Sequence, residues 1–153
     1  MRYIHHHASI VIIESEKGGE FLFSMYDTTY PKVLYRGRAN LIGGNHSSED
    51  KSPLDILKRE LEEEFSIKQE KETEIEENLV AVIGAKSGLK KTRKFANQKD
   101  IKNVKDSILK TILPFQDFLA EIPSLQGSPS FNAICSVFVS KLPDTVFELI
   151  KKN

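Results

Sequence analysis

Three glutamates near the middle of the chain are spaced so that their carboxylates could act together. Glu60, Glu63 and Glu64 stand at positions i, i+3 and i+4, which places their side chains on one face of an α-helix. Like charges at this spacing repel one another unless a positive group lies between them. Because Mg²⁺ and Mn²⁺ prefer carboxylate oxygens as ligands, the spacing indicates a divalent-metal site.

The same glutamates could instead form an ordinary solvated face, since helix rims often carry charges. At about 100° per residue, the apolar side chains of this segment form one stripe, which consists of Leu54, Leu57, Leu61 and Phe65. Glu64 and Glu60 lie about 20° and about 60° from Leu57, whereas Glu63 lies nearly opposite the stripe. Geometry alone leaves both interpretations open.

The residues before the glutamates predict the elements that position them. Ser52-Pro53-Leu54-Asp55 supplies an N-cap, a proline at the first helical position and an acid three residues after the cap. We therefore expect a helix from about Pro53 to Phe65. The preceding Gly43-Gly44 pair permits backbone torsions that are closed to other residues and lets a ligand approach the main chain.

Further elements follow from apolar patterning and turn residues. Glu16-Lys17-Gly18-Gly19 is typical of a hairpin turn. Strands are predicted at Ile4–Ile13, Glu20–Tyr26, Val33–Ile42, Leu79–Ala85 and Phe131–Val139, a helix at Ile101–Ala120 that Pro114 interrupts, and a short terminal helix opened by a capping box at Thr145–Glu148.

At this point the segment from Gly44 to Ile67 resembles the Nudix box, the signature of the Nudix hydrolases, written G-x5-E-x7-R-E-U-x-E-E-x-G-U with U a bulky aliphatic. Arg59-Glu60-Leu61-Glu62-Glu63-Glu64 reproduces its R-E-U-x-E-E core. The segment departs from the motif in three ways. When Ser52-Pro53 is aligned with the usual helix start, Lys51 stands in place of the first Glu, and the loop Asn45–Asp50 has one extra residue. Ser66 stands in place of the late Gly. Arg59 then needs another partner, and Glu49, Asp50 and Glu63 are the candidates.

The resemblance implies an α/β fold, a Nudix-type α/β/α sandwich around a mixed β-sheet. It also implies hydrolysis of a pyrophosphate bond in a nucleoside diphosphate linked to another group, such as a nucleoside triphosphate, ADP-ribose or a nucleotide sugar. The cofactor would be Mg²⁺ or Mn²⁺, with Glu60, Glu63 and Glu64 as ligands and the Gly44 carbonyl as a further one. Gly43 would leave room for the diphosphate.

The resemblance leaves the identity of the general base open. Glu63 or Glu64 could remove the proton from the attacking water, with Arg59 beside them in the catalytic group. Some relatives take the base from a distant loop, where Asp117 and Glu121 are the acids to consider in this chain.

Composition excludes some classes of partner and process. The chain has 153 residues, enough for one domain with a proper core, and its 22 basic and 22 acidic residues cancel. Nucleic acid is therefore not an expected partner, and no apolar run is long enough for a membrane span. The single cysteine, Cys135, favours a cytoplasmic location. A homodimer is compatible with the sequence. His5-His6-His7 is interpreted as the start of a strand, because neighbouring strand residues point to opposite faces and make poor joint zinc ligands.

Local charge is less even than the total. Between Glu60 and Glu77 nine acids face two bases, whereas between Lys86 and Lys105 eight bases face one acid. The two segments could compensate each other, or the basic one could be a loop that neutralises substrate phosphates. Arg36 and Arg38, on the strand that leads to Gly43-Gly44, are nearer candidates for substrate binding, although a charge pair on an edge strand is equally open.

Two other functions remain open from the sequence. The departures at Lys51 and Ser66 allow a Nudix-like binding or regulatory module without catalysis. The basic segment allows an RNA-directed pyrophosphohydrolase, but RNA recognition would need aromatic platforms and this segment contains only Phe95.

Overall fold

The computed structural model describes residues 6–25, 33–65, 80–85, 88–93, 98–122 and 131–151. The strands in these ranges are β1 (His6–Ser15), β2 (Phe21–Met25), β3 (Ala39–Asn40), β4 (Ile42–Asn45), β5 (Val80–Ala85), β6 (Gly88–Arg93), β7 (Leu113–Ile122) and β8 (Phe131–Leu142). The helices are α1 (Pro53–Glu64), α2 (Gln98–Thr111) and α3 (Asp144–Lys151), with a 3₁₀ turn at Val33–Tyr35. No helix in these ranges is both long and apolar enough to cross a membrane.

The strands form one mixed sheet in the order β6-β5-β2-β1-β8-β7, with β3 beside β2 and β4 beside β1. β1 runs parallel to β8 over the whole length of β1, from His6 opposite Ala133 to Ser15 opposite Leu142, and the other pairs are antiparallel. The predicted α/β class with a mixed sheet is thereby confirmed.

The core lies where the helices meet one face of β1 and β8. Buried residues alternate along β1, and Val11 and Ile13 share a face with Phe138 and Leu142 of β8. Helix residues complete the cluster, namely Leu57, Leu61 and Phe65 at α1, Ile101, Val104 and Ile108 of α2, and Phe147 and Ile150 of α3. Since each such side chain contributes about 1.5–3 kcal/mol when fully buried, this cluster fixes α1 against the central strands.

The predicted strand Val33–Ile42 is wrong. The chain makes a 3₁₀ turn over Val33–Tyr35 and reverses at Gly37, whose φ of 74° is easily adopted only by glycine. The short strands β3 and β4 follow. Apolar residues at the start of this segment remain exposed, so the β propensity that suggested a strand is not supported by burial here.

The predicted helix Ile101–Ala120 is wrong in its second half. α2 ends at Thr111, and the chain continues as β7 at the end of the described sheet. Pro114 has no N–H to continue a helix, but an edge strand tolerates it, and a register shift follows it before Gln116.

Other boundaries moved by a few residues. The hairpin at 16–19 is confirmed, with Ser15 N donating to Glu20 O at 2.9 Å. α3 starts at Asp144, before the predicted box, because Val146 N and Phe147 N donate to Pro143 O. β6 was not predicted as a strand. Predictions on His5, Ser66, Ile67, Lys86, Lys94, Phe95 and the acidic residues 70–77 fall outside the described residues.

Candidate functional site

The start of α1 is fixed by the residues that predicted it. Ser52 Oγ accepts a hydrogen bond from Asp55 N at 3.2 Å, and the Asp55 carboxylate accepts one from Lys51 N at 3.2 Å. Ser9 Oγ on β1 donates to Pro53 O at 2.7 Å. The N-cap at Ser52 is therefore confirmed, and the first turn of the helix is attached to the central strand of the sheet.

The two glycines lie in β4, which pairs with β1. Gly44 stands opposite Ser9, and Gly43 stands opposite Ile10. A Cβ atom on Gly43 would collide with the Ser9 carbonyl oxygen, and one on Gly44 would collide with the Glu60 carboxylate. Gly43 therefore allows β4 to approach β1 closely, and Gly44 allows the Glu60 carboxylate to rest directly on the main chain of the sheet.

Arg59 connects the loop after β4 to the glutamates. Its Nη2 and Nε atoms donate to the two carboxylate oxygens of Asp50 at 3.0 and 3.3 Å, and Nη2 also donates to Asn45 O at 2.7 Å. Nη1 lies 2.8 Å from Glu60 Oε1 and 3.3 Å from Glu63 Oε1. One guanidinium thus bridges three acids and one carbonyl, because its planar group presents several N–H donors in a fixed fork.

Asp50, rather than Lys51, takes the place of the first acid of the motif. Its side chain is 4% exposed and also accepts a hydrogen bond from Ser47 N at 2.7 Å. The hydrogen bond from Arg59 lowers the pKa of Asp50, and the same bond raises the pKa of Arg59. Aligning the motif on the helix start put Lys51 at the position of its first acid, although Asp50 was already among the candidate partners of Arg59. Counting from Gly44 instead puts Asp50 at the motif's own spacing, with the extra residue after it.

Glu60 and Glu64 are held where a negative charge is unfavourable. Burial raises the pKa of Glu60, whose side chain is 16% exposed, and the charges of Glu63 and Asp50 add to this against the opposing effect of Arg59. Burial also raises the pKa of Glu64, followed by the charges of Glu60 and Glu63. Within the described ranges no donor bonds to the Glu64 carboxylate. A cation between these carboxylates would remove the repulsion.

The donor chemistry fits a hard divalent cation, although the side chains do not converge on one point. Within the described part of the chain, no group of three His, Cys, Asp or Glu side chains is arranged to hold a metal ion. Arg59 Nη1 occupies the position of a cation between Glu60 and Glu63. Glu64 is half-buried beside them without a partner there, and the residues that would hold Mg²⁺ or Mn²⁺ are these three glutamates with the main chain at Gly44.

The structure places the other predicted site residues in different settings. Arg36 and Arg38 belong to the turn after the 3₁₀ segment, not to a strand, and Arg38 N donates to Tyr35 O. The adjoining β3 pairs with β2, whereas Gly43 and Gly44 pair with β1.

Asp117 and Glu121 both lie on β7 rather than on a loop or helix. Asp117 stands opposite Ser136 of β8, and Ser136 stands opposite Ser9 of β1. Gly44, Ser9, Ser136 and Asp117 are therefore aligned across four neighbouring strands.

The basic segment is engaged with acids at two positions that the structure describes. Lys105 Nζ lies 2.8 Å from Glu62 Oε2 and joins α2 to α1, and Lys102 Nζ lies 2.6 Å from Asp106 Oδ2. The segment also contains β6 and the first half of α2, so it is not the single loop that the phosphate-binding interpretation assumed. These pairs favour charge compensation over phosphate binding for these two lysines.

Comparison with known proteins finds similarity among solved structures. No protein-family profile matches the chain, and no curated protein matches it. A Nudix hydrolase from M. smegmatis, RenU, is similar at 10% identity and a TM-score of 0.43, covering 98% of this chain and 77% of that one. A mutT/nudix family protein from Listeria innocua is similar at 16% identity and a TM-score of 0.45, covering 96% and 71%. The assignment of function therefore rests on the residues of this chain.

Proposed function

We propose that this protein is a metal-dependent pyrophosphohydrolase that acts on a nucleoside diphosphate linked to another group. One observation supports it above the others. The Glu60 carboxylate lies against the Gly44 main chain, Glu64 follows one helical turn later, and burial disfavours the charge of both. Such a setting is typical of functional carboxylates that await a cation or a proton. The resemblance of Arg59–Glu64 to the Nudix box supports the same reaction.

The residues present would divide the work as follows. Bound Mg²⁺ or Mn²⁺ would neutralise phosphate oxygens and acidify an attacking water. A diphosphate would be held at the Glu60 carboxylate, which lies against the main chain of Gly44, whereas the space beside Gly43 is taken by the Ser9 carbonyl oxygen. Arg59, locked by Asp50, holds the loop 45–50 against α1 and keeps Glu60 in place.

Glu64 is the general base that we favour over Glu63. A base works best when its pKa lies near the working pH, and burial moves the pKa of Glu64 in that direction. Glu63 is 61% exposed, and its Oε1 accepts a hydrogen bond from Arg59 Nη1. We do not assign the base to Asp117 or Glu121, because both lie on β7, which is three strands away from Gly44 in the sheet.

The test is release of phosphate or nucleotide from a panel of nucleoside diphosphate derivatives with Mg²⁺ and with Mn²⁺. Glu64→Gln should abolish turnover, whereas Glu62→Gln, on the same helix but on its exposed side, should keep it. Loss of a catalytic acid or base typically costs about 10²–10⁴-fold in rate. Near-normal turnover by Glu64→Gln, or equal losses in both variants, would contradict the assignment.

A second function is favoured by the contact of Arg59 with Glu60 and Glu63. If the guanidinium stays between these carboxylates, the protein would bind nucleotides without cleaving them. Nucleotide binding by calorimetry, together with no metal-dependent release from any panel member, would support this binding module in place of the enzyme.

A further inference from the structure

A histidine near the start of β1, close to the proposed site, is held in one orientation by a hydrogen bond. His7 Nε2 lies 2.8 Å from Ser136 Oγ, and Ser136 is only 2% exposed. This part-buried bond to a buried hydroxyl fixes the orientation of the ring. In the described part of the chain the other ring nitrogen, Nδ1, has no hydrogen-bond partner.

A carboxylate lies on the far side of the same serine. Asp117 of β7 stands opposite Ser136 and is exposed, and among the described residues it makes no hydrogen bond or ion pair. Cross-strand partners in an antiparallel pair point to the same face, so Asp117 shares the face that carries Ser136.

The contact between the Glu60 carboxylate and Gly44 lies on this same face of the sheet. Ser136 is the register partner of Ser9, and Ser9 is the register partner of Gly44, on which the Glu60 carboxylate rests. With strands about 4.8 Å apart, Gly44 and Asp117 are about 14 Å apart across the sheet. Ser9 is fully buried and its hydroxyl donates to Pro53 O, whereas His7, two residues earlier on β1, is partly exposed and Asp117, at the far end of the row, is exposed.

We propose that His7 and Asp117 bind the nucleoside end of the substrate, with Ser136 as the positioning residue for His7. This inference rests on the proposed function, because it places the diphosphate at Gly44 and Glu60. Asp117 can only accept hydrogen bonds when ionised, so it selects a group with O–H or N–H donors, as ribose hydroxyls and base amino groups have. His7 Nδ1 supplies the second contact, either as donor or as acceptor.

The first test is calorimetric binding of ADP and of inorganic pyrophosphate, each with Mg²⁺. Asp117→Asn should weaken ADP binding about tenfold, since a hydrogen bond to a charged group is lost, and should leave pyrophosphate binding unchanged. Glu121→Gln is the matched control. It alters an exposed acid on the same face of the same strand, but four residues away, or about 13 Å along the strand. It should change neither affinity.

Ser136→Ala tests the positioning role separately. It keeps the His7 ring but removes the bond that orients it, so ADP binding should weaken by a smaller factor than in Asp117→Asn, with pyrophosphate binding again unchanged. Restoration of ADP affinity by Ser136→Thr would show that the hydroxyl is what matters. Comparison of ADP with 2′-deoxy-ADP and GDP then separates a sugar contact from a base contact.

The outcomes separate this inference from the proposed function. If no nucleotide is hydrolysed but ADP binding depends on Asp117 as described, the enzyme assignment fails and nucleoside binding by His7 and Asp117 is supported. If turnover occurs but Asp117→Asn binds ADP as the wild type does, or loses affinity for ADP and pyrophosphate equally, nucleoside binding by His7 and Asp117 is overturned. Equal effects of Asp117→Asn and Glu121→Gln on ADP would overturn it as well, because they would report only the charge of β7.

Discussion

Replacing Glu64 by Gln should stabilise the metal-free protein near neutral pH. The carboxylate is half-buried, has no bonded donor in the described ranges, and faces Glu60 one helical turn away. Relief of a like-charge pair at i,i+4 contributes about 0.2–0.5 kcal/mol. For a chain of this size, that corresponds to a rise in Tm of about 1–2 °C, and relief of the burial penalty adds to it.

The sign of the pH dependence follows from the raised pKa. The folded protein binds a proton at Glu64 more readily than the unfolded chain does, so the ionised carboxylate destabilises the fold. This penalty is absent below the unfolded pKa of about 4.3 and develops as the pH rises through the higher folded pKa. The advantage of Glu64→Gln should therefore be present at pH 7 and vanish near pH 4.

The assay is thermal unfolding followed by circular dichroism, in EDTA and in excess Mg²⁺ or Mn²⁺. Glu62→Gln is the control, because it loses an ion pair with Lys105 and should be neutral or slightly destabilised at pH 7. With metal the order should reverse, since the wild type gains stability from binding and Glu64→Gln gains less. A lower Tm for metal-free Glu64→Gln at pH 7, or the same gain at pH 4, would refute the reasoning.

Three further predictions concern the same site. Changing Glu60, Glu63 and Glu64 together to Gln should abolish the rise of Tm with metal, and an undiminished rise would move the metal elsewhere. Gly44→Ala should lose turnover and metal stabilisation because its Cβ would displace the Glu60 carboxylate, as measured by the assays above. Asp50→Asn should lower the Tm at pH 7, and this loss should shrink as the pH falls below the unfolded pKa of about 3.9 and through the lower folded pKa of Asp50; a loss that does not shrink as the pH falls would exclude the ion pair as the cause.

The local part of the site was predictable from the sequence, because it follows from helical spacing. The cap at Ser52 and the i, i+3, i+4 positions of the glutamates require only a helix, and α1 forms where the cap and the apolar stripe predicted it. The sequence offered three acids as partners of Arg59 and could not choose among them, because the path of the loop 45–50 determines which acids reach the guanidinium.

The non-local part could not be predicted in the same way. Alignment of Asp117 with Ser136 and Gly44 depends on strand register across β7, β8, β1 and β4, which no periodicity within one segment encodes. The sequence did not predict β7 as a strand, because its apolar residues also suit a helical pattern. These residues form a strand because the edge of the sheet beside β8 is available to pair with them.

The two contacts of Arg59 with the ends of one loop have a kinetic consequence. Its Nη2 atom contacts both Asn45 O and Asp50 Oδ2, so a single side chain closes residues 45–50 into a ring. Opening such a ring frees every torsion inside it at once, whereas the entropy of closing it grows only slowly with its length. The amide of Ser47, which donates to Asp50 Oδ2, should therefore exchange its hydrogen at a rate set by how often the guanidinium releases Asp50, whereas the amide of His46 is held by His7 O on β1. A ligand that draws Arg59 away from Asp50 would release the loop 45–50 beside the site. A ligand that keeps Arg59 on Asp50 would hold this loop in place.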